Sequence, residues 1–113
     1  MRIKTKANFG GVNINADGVI KLTMELPFSE MVNTVKFTLL VDKELKLKVT
    51  SEDGGESLNL EEVEFYALSM KKEGDSKVVF RTFKPATMAM DELCKFVDCA
   101  VVLEVYDAES VSE

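Results

Sequence analysis

The residues that decide the fold are 9–24, which read FGGVNINADGVIKLTM. Apolar and polar residues alternate on both sides of Ala16-Asp17-Gly18, which is typical of two half-buried strands joined by a tight turn. A two-residue loop would set Ile14 opposite Lys21, whereas a three-residue loop pairs it with Ile20. Because apolar residues should share a face, the sequence predicts a hairpin in the second register, with the loop glycine in the left-handed conformation.

The stretch before this hairpin predicts a strand that bends. From Arg2 to Phe9 the apolar residues occupy every second position, and after Gly10-Gly11 they resume with the opposite parity. One extra residue at the glycine pair would restore the facing. We therefore expect a β-bulge or a sharp bend there.

The segment after Pro27 fits two structures. Ser29 can serve as the N-cap of a helix that begins near Glu30. This helix would gather four apolar residues on its inner face, namely Met31, Val32, Val35 and Leu39. The same segment is rich in β-branched residues, and it alternates like a strand at Val35, Phe37, Leu39 and Val41. A helix is the favoured interpretation of residues 29–41, and a strand remains the alternative.

The second half of the chain predicts further strands. Leu45, Leu47 and Val49 alternate with charged residues. Residues 63–71 and 77–83 flank Glu73-Gly74-Asp75, and a three-residue loop at these positions would pair Met70 with Val78 and Leu68 with Phe80. The run from Cys99 to Val105 is almost wholly apolar, which is typical of a strand covered on both faces.

A second helix is expected after Lys84-Pro85, with Thr87 as its cap. Its inner face would hold Met90, Leu93, Cys94 and Val97. The elements together predict an α+β fold in one domain, residues 1–107, with a mainly antiparallel sheet of about six strands, two hairpins and two short helices. Residues 108–113 are expected to form an acidic tail that frays.

The bulk composition predicts a cytoplasmic protein. The 113 residues are 46% hydrophobic and 30% charged, like an ordinary globular domain. The basic start leads into no apolar stretch that would form a secretory signal, and no run is long enough to cross a membrane. The two cysteines, Cys94 and Cys99, are expected to be buried thiols, because their spacing fits neither a redox motif nor a zinc site.

The absence of histidine argues against an enzyme. It removes the usual general base near neutral pH, the common nucleophile activations and the commonest metal ligand. Asn13, Asn15 and Asp17 match the spacing of a calcium loop, but Met24 stands where the bidentate glutamate is needed. We therefore expect no catalytic, cofactor-binding or metal-binding residues, and no cofactor.

The charge pattern suggests a protein partner. Twenty acidic residues against fourteen basic ones give a net charge of −6, and nucleic acid is not an expected partner of such a chain. A stripe formed by Arg2, Lys4 and Lys6 lacks the interleaved aromatic residues that bind bases. The candidate interaction surface is acidic instead, formed by Glu52, Asp53, Glu56, Glu61, Glu62 and Glu64.

The stretches Phe9-Gly10-Gly11-Val12-Asn13-Ile14 and 16–23, ADGVIKLT, give the chain a family resemblance. Over roughly the first forty residues it resembles small uncharacterised proteins encoded by phages and prophages. The resemblance implies a phage origin and a role in binding other proteins, and it transfers no catalytic residue.

These observations predict a non-enzymatic binding or regulatory protein that acts by protein–protein interaction or self-assembly, as a homo-oligomer and without a membrane. The alternative is a protein that sequesters a signalling nucleotide in a pocket between subunits. In that case Lys4, Lys6, Arg81 and Phe83 could line the pocket.

Overall fold

The structure is a computed structural model, and it describes residues 2–15, 17–72, 74–82 and 94–107. The described residues form six strands, which lie where apolar and polar residues alternate in the sequence. They are β1 Arg2–Ile14, β2 Ile20–Leu26, β3 Leu45–Ser51, β4 Ser57–Met70, β5 Ser76–Thr82 and β6 Ala100–Asp107. A helical segment joins β2 to β3, and residues 94–96 are also helical. The predicted six-stranded antiparallel fold with two helical regions is confirmed at this level.

The strands form a closed barrel in the order β1-β2-β5-β4-β3-β6, and every neighbouring pair is antiparallel. Two long strands make the closure possible because each serves two neighbours in succession. β1 pairs with β6 through its first half and with β2 through its second, and β4 passes from β3 to β5 in the same way. Bulges accompany these changes of partner, as expected where strands turn the corner between sheets.

The first hairpin matches its prediction. Val12 faces Leu22 and Ile14 faces Ile20, while Gly18 has a φ of 83°. The register shifts between Phe9 and Gly11, which confirms the β-bulge at the glycine pair.

The second hairpin is shifted by two residues from its predicted register, because Met70 faces Ser76 and Leu68 faces Val78. The predicted loop placed Gly74 in the middle. In the structure the Lys71 N–H donates to the Asp75 carbonyl oxygen at 2.8 Å, and Gly74, with a φ of 95°, comes last in the loop. The first hairpin closes identically between Asn15 and Val19, so the left-handed glycine sets both registers.

The segment between β2 and β3 forms a helix, as favoured from the sequence, and not the alternative strand. It consists of a 3-10 turn at Phe28–Glu30, helix α1 at Met31–Lys36 and a second 3-10 turn at Phe37–Leu40. The prediction of Ser29 as N-cap is wrong, because Ser29 lies inside the first 3-10 turn and Pro27 occupies the cap position.

The predicted inner face of this segment is also wrong. Phe37 and Leu40 are fully buried together with Thr34, whereas Val32 and Val35 point outward. The Phe37 ring meets the Phe80 ring edge-on, with centroids 5.7 Å apart. Burying one such large side chain contributes roughly 1.5–3 kcal/mol, so the larger aromatic residue takes the inward position and sets the rotation of the helix.

The cysteines were also mispredicted, since both Cys94 and Cys99 are exposed free thiols. Phe96, which is only 4% exposed, takes the inward position near Cys94. The predicted cap Thr87, the helix residues Met90 and Leu93, and the tail 108–113 lie outside the described residues. In the described part of the chain, no helix is long and apolar enough to span a bilayer.

Candidate interaction surfaces

The structure divides the predicted acidic surface into two groups. Glu52, Asp53 and Glu56 are exposed in the turn between β3 and β4. The Asp53 carboxylate accepts hydrogen bonds from the Ser51 hydroxyl at 2.7 Å and from the Gly55 N–H at 2.8 Å. These two bonds lower the pKa of Asp53 below its usual value of 3.8. This carboxylate therefore has a structural role in the turn.

The other three predicted residues, Glu61, Glu62 and Glu64, lie further along β4. At about 3.3 Å per residue, Glu62 is roughly 20 Å of strand away from Glu56. Glu61 lies 3.7 Å from the Lys46 amine, and Glu64 accepts a hydrogen bond from Arg81 at 3.0 Å. Two of these three carboxylates are thus partly neutralised by neighbouring cations.

A basic face lies on the outside of β1, β6 and β3. The strand registers place Glu104 between Lys4 and Lys48, and Tyr106 between Arg2 and Lys46. One step further along, Lys6 faces Val102. We use the name basic face for Arg2, Lys4, Lys6, Lys46 and Lys48. It gathers five cations around a single carboxylate in a chain whose net charge is −6.

Glu104 at the centre of the basic face is only 8% exposed. Its carboxylate lies 2.6 Å from the Arg2 guanidinium. Because Glu61 pairs with Lys46, two of the five cations have acidic partners. Within the described part of the chain, Lys4, Lys6 and Lys48 form no ion pair. These three charges remain available to another molecule.

Sequence reasoning missed this face because its two halves are some forty residues apart. The sequence did contain a pattern that indicates this face, since lysines alternate with inward-facing residues both in β1 and in β3. Only the strand order shows that β6 brings the two stripes together and places a tyrosine between them. The aromatic residue that the β1 stripe lacks in sequence is thus supplied from another strand.

An apolar surface lies next to the basic face on the helical segment. We use the name apolar helix surface for Phe28, Val32, Val35, Leu39 and Val41, whose exposed fractions are 62%, 71%, 55%, 58% and 49%. Elsewhere in the described residues, the exposed large apolar residues are Ile14, Tyr66 and Met70. The apolar helix surface is therefore a concentration of such residues, where scattered single ones are ordinary.

Two side chains of the helical segment fasten it to the edge of β1. The Asn33 amide donates to the Lys4 carbonyl oxygen at 3.2 Å, and the Lys6 N–H donates to the Glu30 carboxylate at 3.2 Å. Asn33 also donates to Glu30 at 3.0 Å. Two backbone groups in the part of β1 that does not pair with β2 are satisfied in this way, and the apolar helix surface is held beside the basic face.

A cavity of about 340 Å³ opens where β1 separates from β2. Ala7 and Leu26 contribute its apolar wall. Its charged lining residues are Lys6, Lys71, Glu25, Glu52 and Asp75. Among the residues that the sequence suggested for a nucleotide pocket, Lys6 lines this cavity, Arg81 instead pairs with Glu64, and Phe83 lies outside the described residues. The mixed charge does not favour a ligand made mainly of phosphate.

No cluster of three metal-binding side chains occurs in the part of the chain that the structure describes. The chain matches no protein-family model, and the search of curated proteins finds no significant match.

Proposed function

We propose that this chain is a non-enzymatic binding or regulatory protein that acts by protein–protein interaction through the apolar helix surface. The observation that carries the proposal is the exposure of that surface, since five of the eight exposed large apolar residues in the described part of the chain lie within residues 28–41. Compact patches of this kind mark interaction sites. The absence of histidine supports a role without catalysis.

Burial of this surface against a partner would contribute enough free energy to support association. A fully buried valine, leucine or phenylalanine contributes roughly 1.5–3 kcal/mol, and these five residues keep between 49% and 71% of their area exposed. Five of them together offer several kcal/mol before the entropic cost of association. That is sufficient for a reversible contact, and we expect the surface to drive self-association when no other partner is present.

A cytoplasmic location fits this role. Cys94 and Cys99 are both exposed and unpaired, and exposed thiols persist where the compartment keeps them reduced. The resemblance of the first residues to phage and prophage proteins supports an origin in a phage, where the host proteins would be the available partners.

Light scattering over a range of protein concentrations tests the proposal. We expect the mass of the unmodified chain to rise with concentration, and the double variant Val32→Gln/Leu39→Gln to remain a monomer. The matched control, Ile14→Gln/Met70→Gln, removes two exposed apolar residues elsewhere and should associate like the parent. A parent chain that stays monomeric at high concentration would contradict self-association, and equal losses in both variants would contradict the assignment of the surface.

A second candidate function is the sequestering of a small molecule, and the mixed charge of the cavity suits a zwitterion better than the signalling nucleotide that the sequence suggested. The cavity beside β1 favours it, because about 340 Å³ lies within the range of small-ligand sites. A ligand that carries both charges suits Lys6 and Lys71 opposite the three carboxylates. A thermal-shift screen against nucleotides and zwitterionic metabolites tests this function, since a specific ligand must raise the melting temperature. A flat response at saturating ligand would count against it.

A further inference from the structure

We infer that the partner of the apolar helix surface is an acidic amphipathic protein segment, whose apolar residues pack on that surface while its carboxylates lie against the basic face. The inference rests on the proposed function and adds the chemistry of the partner. It depends on how the two surfaces adjoin and on which charges between them are unpaired.

The two surfaces meet at α1. Successive residues of an α-helix are separated by 100° around its axis, so Lys36 falls between Val32 and Asn33. Val32 belongs to the apolar helix surface, and Asn33 contacts the Lys4 backbone. A molecule that covers Val32 therefore encounters the amine of Lys36 first and the β1 column of the basic face next.

The charges along this path are positive and unpaired. Within the described residues, neither Lys36 nor Lys4 nor Lys48 forms an ion pair. Glu104, which faces Lys4 and Lys48 across the strands, already accepts a hydrogen bond from Arg2, and Glu30 accepts one from the Lys6 N–H. A partner with carboxylates on the flank of its apolar stripe thus matches the local charge, whereas a basic partner would be repelled.

The size of the basic face favours a short acidic segment over a long polyanion. The face is three strands wide, about 10 Å, and Glu61 and Glu30 lie at its two sides. Charges within a Debye length of about 8 Å influence one another at physiological salt. An extended nucleic acid would therefore pass over acidic groups on either side, whereas a few carboxylates on one turn of a helix would not.

Fluorescence anisotropy with two designed peptides tests the inference. Both are labelled amphipathic helices of about fifteen residues, long enough for helix formation, with leucine on one face. One carries glutamate on its flanks and the other carries lysine. We expect the glutamate peptide to bind the full chain about tenfold more tightly at low salt, since three exposed ion pairs of typical strength together contribute roughly that factor. The preference should shrink as salt is added.

Substitutions of lysine test which residues cause the preference for the glutamate peptide. The triple variant Lys4→Gln/Lys36→Gln/Lys48→Gln should bind both peptides equally, while its self-association in light scattering is retained. The control Lys72→Gln/Lys77→Gln/Lys95→Gln makes the same change in net charge and should keep the preference. Circular dichroism melting verifies that each variant is folded.

Several results would overturn the inference. They are equal binding of the two peptides by the unmodified chain, equal loss of preference in both triple variants, and tighter binding of an oligothymidylate than of the glutamate peptide. Failure of the proposed function looks different, because Val32→Gln/Leu39→Gln would then leave both peptide binding and self-association unchanged. The two ideas can therefore fail separately.

Discussion

Replacing Gly74 and Gly18 by alanine would measure how much the contact between Gly74 and Phe28 contributes to the attachment of the helical segment to the barrel. Both glycines have positive φ values, 95° and 83°, and both come last in a three-residue hairpin loop. They differ in their surroundings. A Cβ atom at Gly18 would meet nothing within 4 Å, whereas one at Gly74 would lie 2.5 Å from Cδ2 and 3.1 Å from Cγ of Phe28.

The structure gives the expected costs of replacing each glycine by alanine. The left-handed backbone alone makes Gly18→Ala destabilising by about 1 kcal/mol. Gly74→Ala has the same backbone cost, and it also requires the Phe28 ring to withdraw by about 1 Å to reach a normal carbon–carbon distance. The ring is already 62% exposed, so it can swing into solvent at a loss of about 1 kcal/mol of burial. We expect about 2 kcal/mol in total.

A double-mutant cycle isolates the second contribution. In a Phe28→Ala background, Gly74→Ala should cost about 1 kcal/mol, the same as Gly18→Ala, which leaves a coupling energy of about 1 kcal/mol. Urea unfolding followed by circular dichroism measures these values, because 1 kcal/mol displaces the midpoint by roughly 0.5–1 M. Equal costs for the two glycines in the parent, or a difference that survives removal of Phe28, would refute the contact.

Three other predictions follow from local contacts. Glu104→Gln should destabilise the fold by about 1 kcal/mol, and by more at low salt than at high salt, because the lysines around it would then repel one another without screening; urea midpoints at two salt concentrations give the comparison. The pKa of Asp53, followed by carboxyl NMR, should lie below 3.8 and rise in Ser51→Ala, since the hydroxyl favours the charged carboxylate. Because that folded pKa is lowered, its contribution to stability is present above pH 3.8 and is lost as the pH falls through the lowered value; an unchanged pKa in the variant would rule out the hydroxyl as the cause. Cys94 and Cys99 should both react rapidly with a thiol reagent in native buffer, and a thiol that reacts only after denaturation would contradict its exposure.

Local patterns predicted much of the sheet. Alternation located the strands, and the pairing of Ile14 with Ile20 and of Val12 with Leu22 fixed the first register, with Gly18 in the left-handed conformation. The second register failed although the same rule applied. Its predicted pairs were apolar on both strands, and shared hydrophobicity cannot distinguish two registers that differ by two residues.

Rotation of the helix and closure of the barrel could not be predicted from local patterns. The periodicity of Val32, Val35 and Leu39 is a genuine apolar stripe, but Phe37 and Leu40 form a competing one that fits the barrel better. Which stripe turns inward depends on Phe80, a residue distant in sequence. The basic face likewise depends on strand order, which brings β1 and β3 to opposite sides of β6.

Two hydrogen bonds between the helical segment and β1, in which Glu30 accepts from the Lys6 N–H and Asn33 donates to the Lys4 carbonyl oxygen, couple recognition to the integrity of the barrel. If α1 moved away, the Lys4 carbonyl and the Lys6 N–H would lose these partners and become an open strand edge, to which a foreign strand can add. A partner seated on α1 would hold that edge closed. Occupancy of the surface should therefore protect the chain against aggregation as well as provide recognition.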